Sequence, residues 1–257
     1  MKVVILAGGR GTRLNEETVV NPKPMVEIGG NPILWHIMKI YSHFGFDDFI
    51  ICLGYKGYVI REYFAHYRLH QADIEVNLRT DTMRALPAQK TEPWRVSLID
   101  TGLNTMTGGR LKRIEKYLDG EPFMLTYGDG LANIDLNKLL QSHIKHQRVV
   151  TVTAVKPPVR YGLLEIKGGY NVTSFQEKPK GEGGYVSGGF FVCEQDIFDY
   201  LKDDQTVLEH EPLESLAGIG QMSAYRHSKF WYAMDTLKDK NFLEARWAKG
   251  NAPWVVW

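Results

Sequence analysis

Residues 3–13 read VVILAGGRGTR, and the change of character at Ala7 decides how the rest of the chain is read. Val3, Val4, Ile5 and Leu6 are apolar without alternation, the mark of a short strand covered on both faces. Gly8, Gly9 and Gly11 follow at once. Glycine adopts backbone angles that other residues avoid, so such a loop can turn sharply and aim its N–H groups at a phosphate. Arg13 adds a planar fork suited to phosphate oxygens. The bland alternative is a plain glycine turn.

Two familiar nucleotide loops do not fit. A dinucleotide-binding loop would read G-x-G-x-x-G, but the position after Gly9 and Gly11 that should be the third glycine is Leu14, and the next apolar strand runs into Gly54 where a ribose-binding acid is needed. A P-loop ends in Gly-Lys-Ser/Thr, which occurs nowhere in the chain.

Working outward, Ile33, Leu34, Ile37, Ile40, Tyr41 and Phe44 recur at helical spacing and predict a helix over 32–44. Apolar runs predict strands at 49–53, 96–100, 123–127 and 149–155, and amphipathic stretches predict helices at 58–67, 135–146 and 236–249. Strands alternating with helices imply an α/β fold around a largely parallel sheet. The run 123–127 ends in Gly128, Asp129 and Gly130, which puts an aspartate at a strand tip, where open α/β sheets hold their ligands. Turn signals at 156–158, 167–169 and 178–184 separate short strands. The stretch 72–94, with weak periodicity, Pro87 and Pro93, reads as a strand plus a long loop that could serve as a flap.

At 257 residues, with 44% hydrophobic and 24% charged residues, the composition is that of a globular protein and not of a disordered or fibrous one. A formal net charge of +1 provides no bulk field for nucleic acid or an anionic membrane. The opening apolar run is too short for a signal-peptide core, and no stretch approaches the ~20 apolar residues of a membrane span. Cys52 and Cys193 sit in apolar runs and form no disulfide framework, which reads as a soluble protein of the cytoplasm.

The motifs then accumulate: LAGGRGTRL (6–14), NPKPMVEIGGNPILWHIMKIY (21–41), GYKGYVIREYF (54–64), DTGLNTMTGGRLKRI (100–114), FMLTYGDG (123–130), SFQEKPKG (174–181), GGFFV (188–192) and FWYAMDTLKDK (230–240). Over nearly its whole length the chain resembles the sugar-phosphate nucleotidyltransferase family, and MTGGRLKR (106–113) with MDT (234–236) resembles its cytidylyl branch. The resemblance implies a Rossmann-like, mixed, mostly parallel sheet flanked by helices, a smaller sugar-binding β part and a C-terminal helical segment. It divides a single domain over 1–257 into a mainly nucleotide-binding part (1–130), a mainly sugar-phosphate-binding part (131–240) and a C-terminal segment (241–257). It also implies a homo-oligomer, with a hexamer among the expected assemblies.

The activity so implied is Mg²⁺-dependent attack of a sugar phosphate oxygen, that of glucose 1-phosphate, on the α-phosphorus of CTP. The attacking group is already anionic, so the site needs positioning and charge neutralisation instead of an activated serine or cysteine. By the same resemblance Leu6, Ala7, Gly8, Gly9, Arg10, Gly11, Thr12 and Arg13 hold the triphosphate, with Gly128 beside them, and Lys23 neutralises the α-phosphate. Asp129 and Asp235 hold the metal, since Mg²⁺ takes one or two carboxylates plus waters and substrate oxygens. Arg13, Lys23, Asp129 and Asp235 form the catalytic set. Thr107, Gly108 and Arg110 face the base. Tyr127, Glu177, Lys178, Gly188 and Gly189 face the sugar phosphate. Each has a bland alternative: a solvated lysine between Pro22 and Pro24, aspartates in turns, EKPKG as a charged surface turn, GGRLKR as a basic surface helix.

Three rivals stand beside this reading. The same chemistry with UTP or dTTP differs only in base contacts. A nucleotide-sugar glycosyltransferase would carry D-x-D, which the chain lacks. A non-catalytic nucleotide sensor would have no need of Arg13, Lys23, Asp129 and Asp235 together.

Overall fold

A computed structural model describes residues 1–11, 21–86, 91–157, 163–167, 171–176 and 184–257. Its centre is a seven-stranded sheet in which strand β1 (Val3–Leu6) is fully buried. After β1 come a small hairpin, β2 (Glu27–Ile28) and β3 (Asn31–Pro32), helix α1 (Ile33–His43), β4 (Asp48–Leu53), and helices α2 (Gly57–Ala65) and α3 (Tyr67–Gln71). A second hairpin, β5 (Ile74–Asn77) with β6 (Thr82–Ala85), precedes β7 (Arg95–Asp100), α4 (Thr107–Ile114), β8 (Phe123–Tyr127), β9 (Gly130–Ala132), α5 (Leu136–His146) and β10 (Val150–Val155). The remainder contains β11 (Leu163–Lys167), β12 (Asn171–Gln176), β13 (Val186–Cys193), α6 (Glu211–Gly218), β14 (Met222–His227), β15 (Trp231–Ala233) and α7 (Leu237–Ala248).

The sheet order is β14-β10-β13-β8-β1-β4-β7. Strand β1 pairs in parallel with β4 on one side and β8 on the other, and β4 pairs in parallel with β7. Strand β13 runs antiparallel to both β8 and β10, which makes the sheet mixed. Alternate residues of β1 feed two cores: Val3 and Ile5 pack with Leu34, Ile37 and Tyr41 of α1, while Val4 and Leu6 pack with Leu111 and Ile114 of α4. Burying each such side chain contributes about 1.5–3 kcal/mol, and this two-sided cover explains why VVIL lacks polar alternation. The chain leaves β1 for β4 on one side and reaches β8 on the other, so the C-terminal end of β1 is a switch point of the fold.

The predicted elements fall within a residue or two of those observed, except at 72–94. There residues 87–90 of the expected loop lie outside the described residues, and a β5–β6 hairpin takes the place of the expected single strand, with Ile74 opposite Ala85 and Asn77 opposite Thr82. Its turn takes Asp81 to φ +51° and uses Asn77 Oδ1 to accept from the N–H groups of Arg79 and Thr80. Such an Asx turn leaves little trace in hydrophobic periodicity. Among the described residues no helix is long and apolar enough to cross a membrane.

Candidate active site

Strands β1, β4 and β8 end on the same side of the sheet, and the glycine loop, Gly54 and Gly128-Asp129 therefore meet. A cavity of about 310 Å³ opens over Leu6, Ala7, Gly8, Gly9 and Gly11, bounded across from the loop by Thr107 and Arg110 of α4 and by Lys23 and Asp129. A second cavity of about 200 Å³ adjoins it, lined by Ser187, Gly188, Gly189, Trp231 and Asp235. Tyr127 and Asp129 line both.

The close approach of three chain segments explains why the loops are glycine-rich. The guanidinium of Arg110 lies beneath Gly8, donating to Gly8 O at 3.0 Å, Leu53 O at 3.0 Å, Thr101 Oγ1 at 2.8 Å and Gly102 O at 2.7 Å. A methyl on Gly54 would stand 2.5 Å from the same guanidinium. Burial lowers the Arg110 pKa from its ordinary range, though the group stays charged. At the next turn, a methyl on Gly128 would fall 2.9 Å from Pro24 Cγ, so the proline-flanked lysine segment packs directly on the strand tip.

That packing sets the electrostatic centre. Lys23 Nζ donates to Asp129 Oδ2 at 2.5 Å and to Asp235 Oδ1 at 2.9 Å. Asp235 reaches this point from 106 residues further along the chain because β15 pairs antiparallel with β9, with Ala233 opposite Gly130, and Met234 N donates to Asp129 O at 2.9 Å. A capping box at the start of α7 then fixes it: Asp239 Oδ2 accepts from the N–H groups of Asp235 and Thr236. Burial alone would lower the Lys23 pKa, but Asp129 first and Asp235 second outweigh it and hold the ammonium above its ordinary range.

Two carboxylates converging on one cation suit Mg²⁺, which takes one or two protein carboxylates and leaves its other positions to water and phosphate oxygens. The Lys23 ammonium stands between them as a cation of the protein's own. Among the described residues no three His, Cys, Asp or Glu side chains cluster as a full protein cage.

Other expected site residues are distributed as follows. Leu6, Ala7, Gly8, Gly9, Gly11, Lys23, Thr107, Arg110, Tyr127, Gly128 and Asp129 line the larger cavity. Arg10 does not; its Nη2 turns to Asn104 Oδ1 at 3.1 Å. Gly108 is buried behind the cavity wall, where a methyl would stand 2.8 Å from Thr206 O. Gly108, Gly109 and Arg110 are all buried, while Lys112 and Arg113 face outward, so α4 is basic at its surface on one face only. Gly188 and Gly189 line the smaller cavity, but neighbouring side chains also demand glycine there: a methyl on Gly188 would meet Val155 Cγ1 at 2.8 Å, and one on Gly189 would meet Tyr127 Cδ2 at 2.7 Å. Thr12, Arg13, Glu177 and Lys178 lie outside the described residues. Sequence reasoning missed Trp231, whose Nε1 donates to Gly188 O at 2.7 Å, and Glu209, which accepts from Tyr127 and Thr107. Trp231 sits inside the quoted FWYAMD motif, whereas nothing in LEHEP distinguishes Glu209.

A sequence model of the nucleotidyl transferase family matches residues 2–236. The chain belongs to the nucleotidyl transferase family. Among curated members it is similar to glucose-1-phosphate cytidylyltransferase of Salmonella typhimurium, with 54% identity covering the whole of both chains. It is 43% identical, again over the whole of both chains, to a protein of Bacillus subtilis named probable glucose-1-phosphate cytidylyltransferase. Among solved structures, HddC from Yersinia pseudotuberculosis superposes with a TM-score of 0.69 at 24% identity, covering 96% of this chain and 99% of that one. A UDP-glucose pyrophosphorylase solved with UDP-glucose reaches the same TM-score at 17% identity, covering 97% and 98%. These structural likenesses place this nucleotidyl transferase's fold among α/β nucleotidyltransferases.

Proposed function

We infer that this nucleotidyl transferase moves a cytidylyl group from CTP to α-D-glucose 1-phosphate, giving CDP-glucose and pyrophosphate. The family and its chemistry follow from the match over residues 2–236, and the base and sugar from the full-length relatives named as glucose-1-phosphate cytidylyltransferases. The observation that carries the site assignment is the meeting of Lys23, Asp129 and Asp235 at the boundary of two adjoining cavities.

The larger cavity takes the triphosphate, with the N–H groups of the Leu6–Gly11 loop toward its phosphates and α4 toward its base; the resemblance adds Thr12 and Arg13 to the triphosphate's partners. The smaller takes the sugar phosphate, and the resemblance assigns Glu177 and Lys178 to the same substrate. A phosphate oxygen of the sugar attacks the α-phosphorus in line. The bond from that phosphorus to the oxygen bridging the β-phosphate breaks, and pyrophosphate leaves with the electron pair. No proton needs removal from the nucleophile, so the protein's contribution is alignment and neutralisation. Lys23, swung from the carboxylates toward the α-phosphate, offsets the charge that builds there. Enzymes of this family generally use Mg²⁺; Asp129 and Asp235 would hold it, and it would supply further charge neutralisation to the phosphates.

The chain acts as one domain, 1–130 serving mainly the nucleotide, 131–240 mainly the sugar phosphate, and 241–257 closing the fold. Exposed Ile74, Val76, Leu78 and Met83 on the β5–β6 hairpin support self-association into a homo-oligomer. The buried thiols Cys52 and Cys193 are free, in keeping with work in the cytoplasm.

The deciding experiment mixes the protein with Mg²⁺, glucose 1-phosphate and each nucleoside triphosphate in turn and measures pyrophosphate. A clear preference for CTP is expected, with activity lost in Asp129→Ala; equal use of all four triphosphates would defeat the cytidylyl assignment, and preference for UTP or dTTP would move it to another branch.

A further inference from the structure

Behind the cavity walls, reached through Tyr127 and Thr107 and lining neither cavity itself, stands a carboxylate that neither the glycine loop nor the Lys23 cluster uses. Glu209 is half-buried, and its oxygens go to different walls: Oε1 accepts from the Tyr127 hydroxyl at 2.5 Å, and Oε2 accepts from the Thr107 hydroxyl at 2.6 Å. Thr107 Oγ1 in turn accepts from the Leu208 N–H at 2.9 Å. Among the described residues no cation pairs with Glu209. Its two hydroxyl partners take the charge of this partly dehydrated carboxylate into two short, direction-sensitive hydrogen bonds.

Both partners stand at consequential places. Tyr127 ends β8 two residues before Asp129 and lines both cavities. Its ring is confined by Gly189 on one side and by the edge of Phe191, with ring centroids 5.9 Å apart, so the hydroxyl anchor sets the remaining tilt. Burial, with Glu209 beside it, pushes the Tyr127 phenol far above its ordinary pKa and keeps it a donor. Thr107 opens α4, whose start is also clasped by the segment just before Glu209: Met106 N donates to Asp204 O at 2.8 Å, Gly109 N donates to Thr206 O at 3.2 Å, and a methyl on Gly109 would stand 2.6 Å from Asp204 Cα.

Building on the nucleotidyl-transfer reading, we propose that Glu209 is a positioning residue that ties the nucleotide wall at Thr107 to the sugar wall at Tyr127, so that one carboxylate registers both substrates. Loss of this tie loosens both pockets together while Lys23, Asp129 and Asp235 remain in place.

The test is steady-state pyrophosphate release from CTP and glucose 1-phosphate with Mg²⁺ for the wild type, Glu209→Gln, Glu209→Asp, Tyr127→Phe and the Glu209→Gln/Tyr127→Phe double variant, with a thermal melt of each. Glu209→Gln is expected to raise KM for both substrates by about fivefold or more, the scale of one charge-assisted hydrogen bond, with kcat moving less than either KM. Adding Tyr127→Phe to it should change less than the same substitution made in the wild type, because the hydroxyl has already lost its charged acceptor. Glu209→Asp, which keeps the charge on a shorter stem, should restore part of at least one KM, and it carries the measurement if Glu209→Gln does not fold. Unchanged KM values in a folded Glu209→Gln protein, effects that multiply in the double variant, or loss of fold in both Glu209 variants would each overturn the assignment. A wild type that releases no pyrophosphate from CTP and glucose 1-phosphate would instead sink the functional reading, and this one with it; an active wild type with an indifferent Glu209→Gln sinks this one alone.

Discussion

Gly8 and Arg110 fit together as a pair: a methyl on Gly8 would stand 2.2 Å from Arg110 Nη1, while Arg110 Nη2 donates to the carbonyl of Gly8 itself. Glycine at position 8 leaves room for the guanidinium bracing the loop, while the left-handed turn of that loop falls at Gly11, with φ +61°. Arg110 joins that loop to the ends of β4 and β7 through the carbonyls of Leu53 and Gly102 and the hydroxyl of Thr101.

Arg110→Ala therefore strands several buried acceptors at once. A loss of about 3 kcal/mol is expected, roughly 6–12 °C in Tm for a domain of this size, together with a higher KM for CTP. Gly8→Ala should reproduce the KM change by displacing the guanidinium. Thermal melts and CTP titrations check both, and a Tm for Arg110→Ala equal to that of the wild type would remove the bracing role.

Lys23 separates two carboxylates that would otherwise face each other across a shared cavity. In Lys23→Met their repulsion has no internal counterion. The variant should melt below the wild type in EDTA, and Mg²⁺ should narrow the gap by replacing the missing cation. Its kcat should fall by about 10²–10³, the scale for removing a transition-state charge contact. If Mg²⁺ leaves the gap in Tm unchanged, the ion does not bind between Asp129 and Asp235.

Gly189 has φ +75°, in the left-handed region, and a methyl there would meet the Tyr127 ring. Gly189→Ala incurs about 1–2 kcal/mol of backbone strain before any clash. It should raise KM for glucose 1-phosphate more than KM for CTP, since the shift is felt first in the smaller cavity. Equal changes in the two constants would mean that the cavities are not separately occupied as assigned.

His36 lies fully buried among Trp35, Trp247, Trp254 and Trp257, its Nε2 donating to Ile28 O at 2.8 Å and its Nδ1 accepting from Trp254 Nε1 at 3.3 Å. Burial pushes its pKa down to about 4, against an ordinary 6.5. Between these values the unfolded chain binds the proton and the folded one does not, so stability is full above pH 6.5 and falls as the pH drops toward 4, by up to about 1.4 kcal/mol per pH unit. Burial lowers the His227 pKa too, which acts in the same direction. Urea unfolding at pH 7.5, 6 and 5 should show a shallower decline in His36→Gln than in the wild type, and parallel declines would exclude His36 as a source.

Much of the fold was readable from local pattern, because each reading rested on a neighbour-to-neighbour rule. The apolar run Val3–Leu6 could only be a doubly covered strand, the stripe on Ile33–His43 could only be an amphipathic helix, and Asp135 and Thr236 precede helical runs and cap them. The β5–β6 hairpin was hidden because a turn made by Asn77 and Asp81 has no hydrophobic period, and its strands expose Ile74, Val76 and Met83.

By itself, the order of residues determined the strand that begins the sheet, the glycine loop at its tip, the aspartate after Phe123–Tyr127 and the family to which these motifs belong, since all are contained in short contiguous segments. Only the tertiary structure decided that Lys23 lies within hydrogen-bonding distance of both Asp129 and Asp235, that Arg110 braces the loop from below, and that Glu209 joins Tyr127 to Thr107. Those meetings depend on strand pairings and helix packing between segments about 80 to 210 residues apart, where hydrogen bonds and excluded volume, and not sequence spacing, set which side chains touch.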